Sequence, residues 1–334
     1  MMLTIIKPGL LTSVQDLGRY GYQKYGVIAS GVMDQLAHRI SNILAGNDEN
    51  QPTLEITLLG PVIRFEKDTL ISICGGDLSP SINGIPVRLW RSICVKKGSK
   101  LSFGPAKAGS RAYLAVAGGI KVPEVMESKS TYLRAGIGGF QGRALKAGDS
   151  VDFNEPGDFS NTIHEYLGKL TVDRPFAEAE WSVASDLIPL HGKDPSIRVM
   201  RGRQFELFSK ESKDKFFSEP FEVTLQSDRM GYRLKGPLLK LENPEEMISE
   251  AVSFGSIQVP SEGNPIVLLA DRQTTGGYPK IGQIASVDLP VIAQAKLGDM
   301  IRFSEITHEE AQLLFLKREK KIKQLKNGIV LKFR

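Results

Sequence analysis

The chain has 334 residues, of which 41% are hydrophobic and 24% are charged, a composition that excludes a disordered or fibrous protein. Lys and Arg (43) exceed Asp and Glu (38) by five, and the whole excess lies in residues 309–334, which hold eight basic and three acidic residues. Nucleic-acid binders carry excess positive charge on the folded body. Here the body is neutral, so we expect no nucleic-acid partner.

Membrane, metal and disulfide functions are also disfavoured. Apolar runs such as Ile266–Ala270 are far shorter than the roughly 20 residues that a membrane-spanning helix needs, and residues 1–7 lack a signal-peptide core. We therefore expect a cytoplasmic protein with no membrane partner. The four His residues show no metal-ligand spacing, and Cys74 and Cys94 lie in apolar stretches typical of buried, reduced thiols.

The predicted elements are mostly strands. Short runs rich in Val and Ile, separated by Gly and Pro, predict a mainly β protein with few helices. The first helix should begin after Asp34 as N-cap and end at Gly46, and a short helix should run from Leu289 to Ala295. The last helix should cover about Glu309–Lys326, opened by a capping box of Thr307 and Glu310, stopped by Asn327-Gly328 and followed by a strand at 329–333.

Three segments of the first half recur in the second. Residues 13–22 resemble 225–233, the apolar strand 112–119 resembles 265–277, and the Gly-Asp turn at 147–153 resembles that at 297–303. We interpret this repeat as two related β-barrels, the first enlarged. The predicted domains are 1–190, 191–306 and a basic C-terminal helix and strand at 307–334, with residues 154–194 as the joint.

The densest polar segment directly follows the strand-like run at 265–270. It contains Asp271, Arg272, Gln273, Thr274, Thr275, Gly276, Gly277, Tyr278 and Lys280. Hydroxyls, glycine amides and two cations at a strand end suit a carboxylate, a phosphate or a ureido carbonyl. Asp271 could orient the arginine or act as a base. The alternative is a tight turn in which the threonines bond local backbone.

A second polar segment lies near the first helix. It contains Ser13, Gln15, Asp16 and Arg19, followed by Ser30 and Asp34 at the helix start. Free amides at that start can bind an anion or a carbonyl oxygen. Asp34 can instead serve only as the N-cap, and Asp16 with Arg19 can be a surface ion pair.

Nucleotide-binding and nucleophile motifs are incomplete. Gly136–Arg143 lacks the spacing of a dinucleotide loop, and no P-loop occurs, so we interpret it as a flexible loop with one useful cation, Arg143. ATP chemistry would then need a partner. Ser128-Lys129-Ser130 lacks the tract of amidase-signature hydrolases and is interpreted as a solvated loop.

A family resemblance rests on five segments in order: 7–19, 30–34, 54–57, 111–120 and 271–280. Together they resemble the family variously called allophanate hydrolase subunit 2, the biotin-dependent carboxyltransferase-like family, or the C subunit of ATP-dependent 5-oxoprolinase. Residues 22–27 and 125–132 are similar to its Kip inhibitor antagonist branch.

The resemblance implies two cyclophilin-like β-barrels and activity only in a complex. It implies two partners, a Kip-inhibitor-like subunit (the B component) and a lactam-utilisation subunit (the A component), with 5-oxoproline as substrate and ATP shared with those partners. Two alternatives stay open: a regulatory antagonist of a histidine-kinase inhibitor, and a carboxyltransferase-type subunit of a urea or amide carboxylase, the only case that would involve biotin.

The resemblance also suggests residue roles. Arg272, Thr274, Thr275 and Lys280 would hold an anion, while Gln15, Asp16 and Asp271 would contact the amide. We group Asp16, Asp271, Gln273, Thr274 and Thr275 as catalytic candidates. The substrate-binding candidates are Ser13, Gln15, Arg19, Ser30, Asp34, Arg143, Arg272, Gly276, Gly277, Tyr278 and Lys280.

Overall fold

The chain folds into two units, each with its own hydrophobic core. The computed structural model describes residues 2–189, 192, 194–243, 245 and 247–333. Unit 1 comprises Met1–Arg19, Asp34–Ile188 and Lys320–Arg334, and unit 2 comprises Tyr20–Met33 and Pro189–Glu319. The predicted boundary at 190/191 lies outside the described residues.

Unit 1 is built from short strands joined by tight turns. In its described part the strands are β1 (Met2–Lys7), β2 (Leu11–Gln15), β3 (Thr53–Thr57), β4 (Val62–Phe65), β5 (Thr69–Asp77), β6 (Ser81–Ile82), β7 (Ile85–Pro86), β8 (Ser92–Val95), β9 (Lys100–Ser102), β10 (Ala108–Val116), β11 (Ser150–Asp152) and β12 (Phe176–Glu178).

These strands form two six-stranded sheets, in the orders β11-β1-β4-β9-β6-β7 and β12-β8-β5-β10-β3-β2. Alternate residues of both sheets, such as Leu3, Phe65, Leu54 and Leu114, share one buried core. Strand alternation places the intervening residues of each strand on the other face. In the second sheet, that other face carries the polar side chains Ser13 and Gln15 of β2 and Thr53 and Glu55 of β3.

Unit 2 contains a closed barrel. Its described strands are β13 (Ser196–Arg201), β14 (Phe221–Val223), β15 (Gly231–Lys235), β16 (Glu250–Ala251), β17 (Ser256–Gln258), β18 (Ile266–Leu268), β19 (Thr275–Gly276), β20 (Lys280–Ile284) and β21 (Met300–Glu305). The barrel order is β13-β20-β17-β18-β15-β14-β21, and β16 pairs with β19. The prediction of a mainly β protein with few helices is confirmed. Of the two predicted barrels, the described strands of unit 2 close into one, and those of unit 1 form the two six-stranded sheets.

The helices are α1 (Gln35–Leu44), α2 (Asp158–Gly168), α3 (Lys210–Ser218), α4 (Leu289–Gln294) and α5 (His308–Lys332). The predicted caps are confirmed: Asp34 Oδ1 accepts from Ala37 N at 2.9 Å, and Glu310 N donates to Thr307 Oγ1 while Thr307 N donates to Glu310 Oε2. Sequence analysis missed α2 and α3, whose apolar faces are short.

The repeated Gly-Asp turns have the same geometry in both units. Lys146 N donates to Asp149 Oδ2 at 2.7 Å, and Lys296 N donates to Asp299 Oδ2 at 3.0 Å. Gly148 and Gly298, the glycines before the two aspartates, have φ of +88° and +80°, a backbone conformation that residues other than glycine rarely adopt. Each turn starts the strand that follows it, β11 in one unit and β21 in the other.

The segment 154–194, predicted as the joint, contains α2 and β12, and β12 pairs with β8 inside unit 1. The predicted helix stop at Asn327-Gly328 and the predicted strand at 329–333 are wrong, because α5 continues to Lys332. Ile322, Ile329 and Phe333 are buried at helical spacing, and the Phe333 ring lies 5.4 Å from that of Tyr166, so packing outweighs the local propensity of Asn-Gly.

Both cysteines are free and buried, as predicted. Burial raises the pKa of Cys94 to about 11 and raises that of Cys74 further, so both stay protonated thiols. None of the helices among the described residues has the length and apolar content to cross a membrane.

Candidate functional site

Unit 1 carries a row of polar side chains on the second face of its second sheet. The register aligns Ser13 with Glu55 and Glu55 with Tyr113, and it aligns Gln15 with Thr53. All five are buried, although they point away from the hydrophobic core. We call these five residues, with Asp34 and His38 of the α1 region, the polar layer.

The start of α1 is tied into this layer through a tyrosine. Asp34 N donates to Tyr113 Oη at 2.8 Å, and that hydroxyl donates to Glu55 Oε2 at 2.9 Å. The pKa of Tyr113 is raised, first by burial and then by the Glu55 charge, so the phenol stays a neutral donor. Asp34 is fully buried as the N-cap, so its side chain serves the helix.

His38 adds a buried neutral group to the polar layer. Its Nδ1 lies 2.9 Å from Thr53 Oγ1. Burial lowers its pKa to about 4, against a smaller raising effect of the Asp16 charge. The imidazole is therefore neutral at physiological pH.

Asp16 is the centre of a second buried cluster. Its Oδ1 accepts from Gly18 N at 2.9 Å and from the hydroxyls of Ser128 (2.8 Å) and Ser130, and its Oδ2 accepts from Lys129 N at 2.6 Å. Ser128 and Ser130 are 1% and 0% exposed. The prediction that 128–130 is a solvated loop is wrong, because a carboxylate more than a hundred residues away organises it.

Arg19 is also buried, and the alternative of a surface ion pair with Asp16 is wrong. Its Nε donates to Val125 O at 2.9 Å and its Nη2 to Ser130 O at 3.0 Å. Arg19 therefore binds backbone carbonyls of the segment 125–130, and Asp16 binds serine hydroxyls of the same segment.

Gln15 has an oxygen that no described group satisfies. Its Nε2 donates to Ser13 Oγ at 3.0 Å and to Thr131 O at 3.2 Å. Because a carbonyl can only accept, the Thr131 contact fixes which end of the amide is nitrogen. Gln15 is 0% exposed, and its Oε1 has no hydrogen-bond partner, which is costly for a buried acceptor.

The glycine-rich loop 136–143 packs closely on this cluster. A Cβ on Gly138 would lie 2.1 Å from Ser130 O, and one on Gly139 would lie 1.9 Å from Thr131 Oγ1, so only glycine fits. Arg143 forms two bonds with Asp149, at 2.7 and 2.9 Å, and Asp149 raises its pKa. The cation expected to be available for a ligand is therefore neutralised by Asp149.

Unit 2 holds the other candidate cluster. Asp271 Oδ1 accepts from Ser30 Oγ at 2.7 Å, and its Oδ2 accepts from Arg229 Nε at 2.9 Å. Arg229 Nη2 also donates to Gly31 O. Ser30 and Gly31 have φ of +56° and +91°, so Asp271 and Arg229 together hold a strained turn in place.

The rest of residues 271–280, which we call the strand-end loop, is more open. Thr275 and Gly276 form β19, Gln273, Thr275, Gly277 and Tyr278 are exposed, and Thr274 is half-buried. Lys280 Nζ is paired with Glu250 at 2.9 Å. Arg272 donates to the carbonyls of Val252 and Leu269, burial lowers its pKa, and it has no carboxylate partner among the described residues. The structure shows no hydrogen bond to the side chains of Gln273, Thr274 or Thr275 among the residues that it describes.

Tyr278 lies at the edge of a cavity in unit 2. This cavity has a volume of about 680 Å³ and is also lined by Thr224 and Arg233.

Sequence analysis missed Glu55, Tyr113, Ser130, His38 and Arg229. Glu55 in β3 and Tyr113 in β10 alternate with buried apolar residues. This period-two pattern was the available signal, but it cannot show that the polar face of a strand is buried. The repeat of residues 13–22 at 225–233 was the available signal for Arg229, because each segment carries an Asp followed within three residues by an Arg, and both arginines are buried in the structure. The part of the chain that the structure describes contains no group of His, Cys, Asp or Glu side chains arranged to hold a metal ion.

Comparison with known proteins decides the family. Residues 25–305 match the family described as carboxyltransferase domain, subdomain A and B. The chain belongs to this family. The match confirms the resemblance inferred from the sequence motifs.

Two bacterial relatives match nearly end to end. A Haemophilus influenzae protein named as the C subunit of 5-oxoprolinase is 36% identical over 97% of this chain and 98% of its own length. An Escherichia coli protein of the same name is 39% identical over 93% of each chain.

A solved structure shows the same fold inside a much longer enzyme. Urea carboxylase from Kluyveromyces lactis superposes with a TM-score of 0.87 at 32% identity, covering 98% of this chain but 29% of that one. The chain therefore corresponds to less than a third of the length of that enzyme.

Proposed function

We propose that the protein is the C subunit of an ATP-dependent 5-oxoprolinase and helps to bind and activate the lactam for cleavage to L-glutamate. The observation that carries this proposal is the near full-length match to two proteins of that name, at 36% and 39% identity. The partners would be the Kip-inhibitor-like subunit (the B component) and the lactam-utilisation subunit (the A component).

The chemistry explains why such a site needs anion and amide recognition. A lactam carbonyl is a poor electrophile, and phosphorylation of its oxygen by ATP supplies a leaving group. This chain would then orient the lactam and hold developing negative charge with fixed donors. We assign no ATP contact to 136–143, because its glycines pack on 130–131 and Arg143 is paired with Asp149.

The strand-end loop supports a role as the anion holder. Its Thr274 and Thr275 hydroxyls have no bonding partner in the described structure, and Arg272 brings a positive charge with no carboxylate partner there. Such groups suit a carboxylate or phosphoryl oxygen. Lys280 is less suited, because Glu250 neutralises it.

Gln15 supports a role in recognising an amide N–H. Its Nε2 is held by Ser13 and Thr131, so its buried Oε1 is fixed in direction and lacks a donor. A lactam N–H is a donor of the right kind. We assign Asp16 and Asp271 as positioning residues, because each carboxylate is occupied by protein donors.

Reconstitution tests the proposal. The three purified proteins are mixed with 5-oxoproline and ATP, and glutamate and ADP are measured, with omission of this protein as the control. We expect glutamate only with all three proteins. No glutamate from folded partners would overturn the proposal.

The structural match favours one second candidate, a carboxyltransferase acting on urea or a related amide. It predicts carboxylation of urea when a biotin carboxylase and a biotinylated carrier are supplied with bicarbonate and ATP. Incorporation of labelled bicarbonate into product distinguishes it, since 5-oxoproline cleavage incorporates none.

A further inference from the structure

Unit 1 contains a cavity that the proposed function does not use. Its volume is about 460 Å³, and none of the polar-layer residues or the Asp16 cluster lines it. It is formed by residues 86–91, which lead into β8, together with Asp77 at the end of β5 and Lys107 before β10. We call it the basic pocket.

Three cations line the basic pocket, and two of them have no acidic partner among the described residues. Arg88 is paired with Glu178, whose carboxylate also accepts from Arg88 N at 3.0 Å. Arg91 donates from Nη1 to the carbonyls of Ala179 and Glu180, and Lys107 is exposed. Asp77 is the one acid among the lining residues of the described pocket, so the lining carries net positive charge.

Arg91 retains an unused donor. Its Nε is buried and has no hydrogen-bond partner, which leaves one edge of the guanidinium unsatisfied. Burial lowers the pKa of Arg91, the neighbouring Arg88 charge lowers it further, and the Glu178 charge opposes both with a smaller effect. An anion bound beside Arg91 would offset the repulsion between the two guanidinium groups.

Apolar residues also line the pocket, and one of them has a strained backbone. Val87, Leu89, Trp90 and Ile188 line it. Trp90 has φ of +58°, which is costly for a residue with a bulky side chain. Its backbone N–H donates to Ile73 O at 2.9 Å. Such strain persists where the surrounding fold fixes it, commonly at binding sites.

We propose that the basic pocket binds a small organic anion, with its carboxylate or phosphate held by Arg91 and Lys107 and its apolar body against Trp90 and Leu89. The volume is that of sites for metabolite-sized ligands, which are concave and largely apolar with a few placed polar groups. The proposal is independent of the proposed function, since none of the residues assigned there lines this cavity.

Calorimetric titration of the full-length protein at low salt tests this proposal. The probes are phenyl phosphate, benzoate and phenol, so the two anionic groups are compared with each other and with a neutral ring. We expect one of the anions to bind and phenol to bind at least about tenfold more weakly, because the ion contact is lost. Failure of both anions to bind, or phenol binding equal to theirs, would overturn the proposal.

Variants locate the binding. Lys107→Ala should lower the affinity for the anion by about threefold or more, and Arg91→Met should lower it by about tenfold or more. Lys67→Ala, an exposed lysine outside the pocket lining, is the matched control and should bind like the wild type. Because Arg91 also bonds local carbonyls, Lys107→Ala is the decisive variant if Arg91→Met fails to fold. Unchanged affinity in Lys107→Ala would show that the anion binds elsewhere and would contradict the assignment.

Discussion

The polar cluster around Asp16 and the strand-end loop look alike in sequence but differ in structure. Both are dense in hydroxyls, amides and charges. Around Asp16, the side chains of Ser128, Ser130 and Arg19 are buried. Four donors bond to the Asp16 carboxylate, and Arg19 donates to two backbone carbonyls of the same cluster. In the strand-end loop, Gln273, Thr274 and Thr275 have no side-chain bonds among the described residues. Polar density therefore indicates an internal scaffold in the first case and groups available to a ligand in the second.

The largest expected effect comes from the two buried aspartates. Asp271→Ala leaves the Arg229 guanidinium, 6% exposed, without its carboxylate, and should lower the free energy of unfolding by about 3–5 kcal/mol. Adding Arg229→Met should recover most of that loss, because the unpaired buried charge is removed. Chemical denaturation of the single and double variants measures both.

Asp16→Ala should cost about 3 kcal/mol or more, because it leaves several buried donors unsatisfied. No single second substitution should recover it, since its partners are neutral and numerous. Full recovery by Asp16→Ala/Ser130→Ala would show that the cluster depends on one bond.

The polar layer should also make stability depend on pH. The pKa of His38 is about 4 in the folded protein and 6.5 when unfolded, so its stabilising contribution is present above pH 6.5 and is lost as pH falls towards 4. The loss should reach about 3 kcal/mol. The free energy of unfolding measured from pH 7.5 to pH 4 tests this, and His38→Gln should flatten the slope in that window. An equal slope in both proteins would contradict a buried neutral histidine.

Matched removal of one hydroxyl from each region gives the smallest effects. Ser130→Ala removes a donor to Asp16 and an acceptor for its N–H, and should cost about 1–3 kcal/mol. Thr275→Ala removes an exposed hydroxyl with no described partner, and should change stability by less than about 0.5 kcal/mol. Equal losses in thermal denaturation would mean that the strand-end loop is also an internal scaffold.

The sequence predicted what depends on local order. The caps at Asp34 and Thr307 and the Gly-Asp turns need only neighbouring residues. It failed where distant segments meet. Ser128 and Ser130 lie more than a hundred residues from Asp16, and α5 continues past Asn327-Gly328 because Ile329 and the following Phe333 are buried. Among the residues of the two buried clusters, it named Asp16 and Asp271 as candidates but not their partners Ser130 and Arg229, which tertiary packing supplies.

Glutamate formation by the reconstituted complex tests the central claim most directly, that the strand-end loop is reserved for the reaction. The test variant carries both Thr274→Ala and Thr275→Ala. The control variant carries Thr162→Ala, which lies on the exposed face of α2. We predict that the double variant loses about 100-fold or more in turnover, as expected for removal of fixed donors to developing charge, while its melting temperature and the activity of the control stay at wild-type values. Wild-type turnover in the double variant would contradict the account.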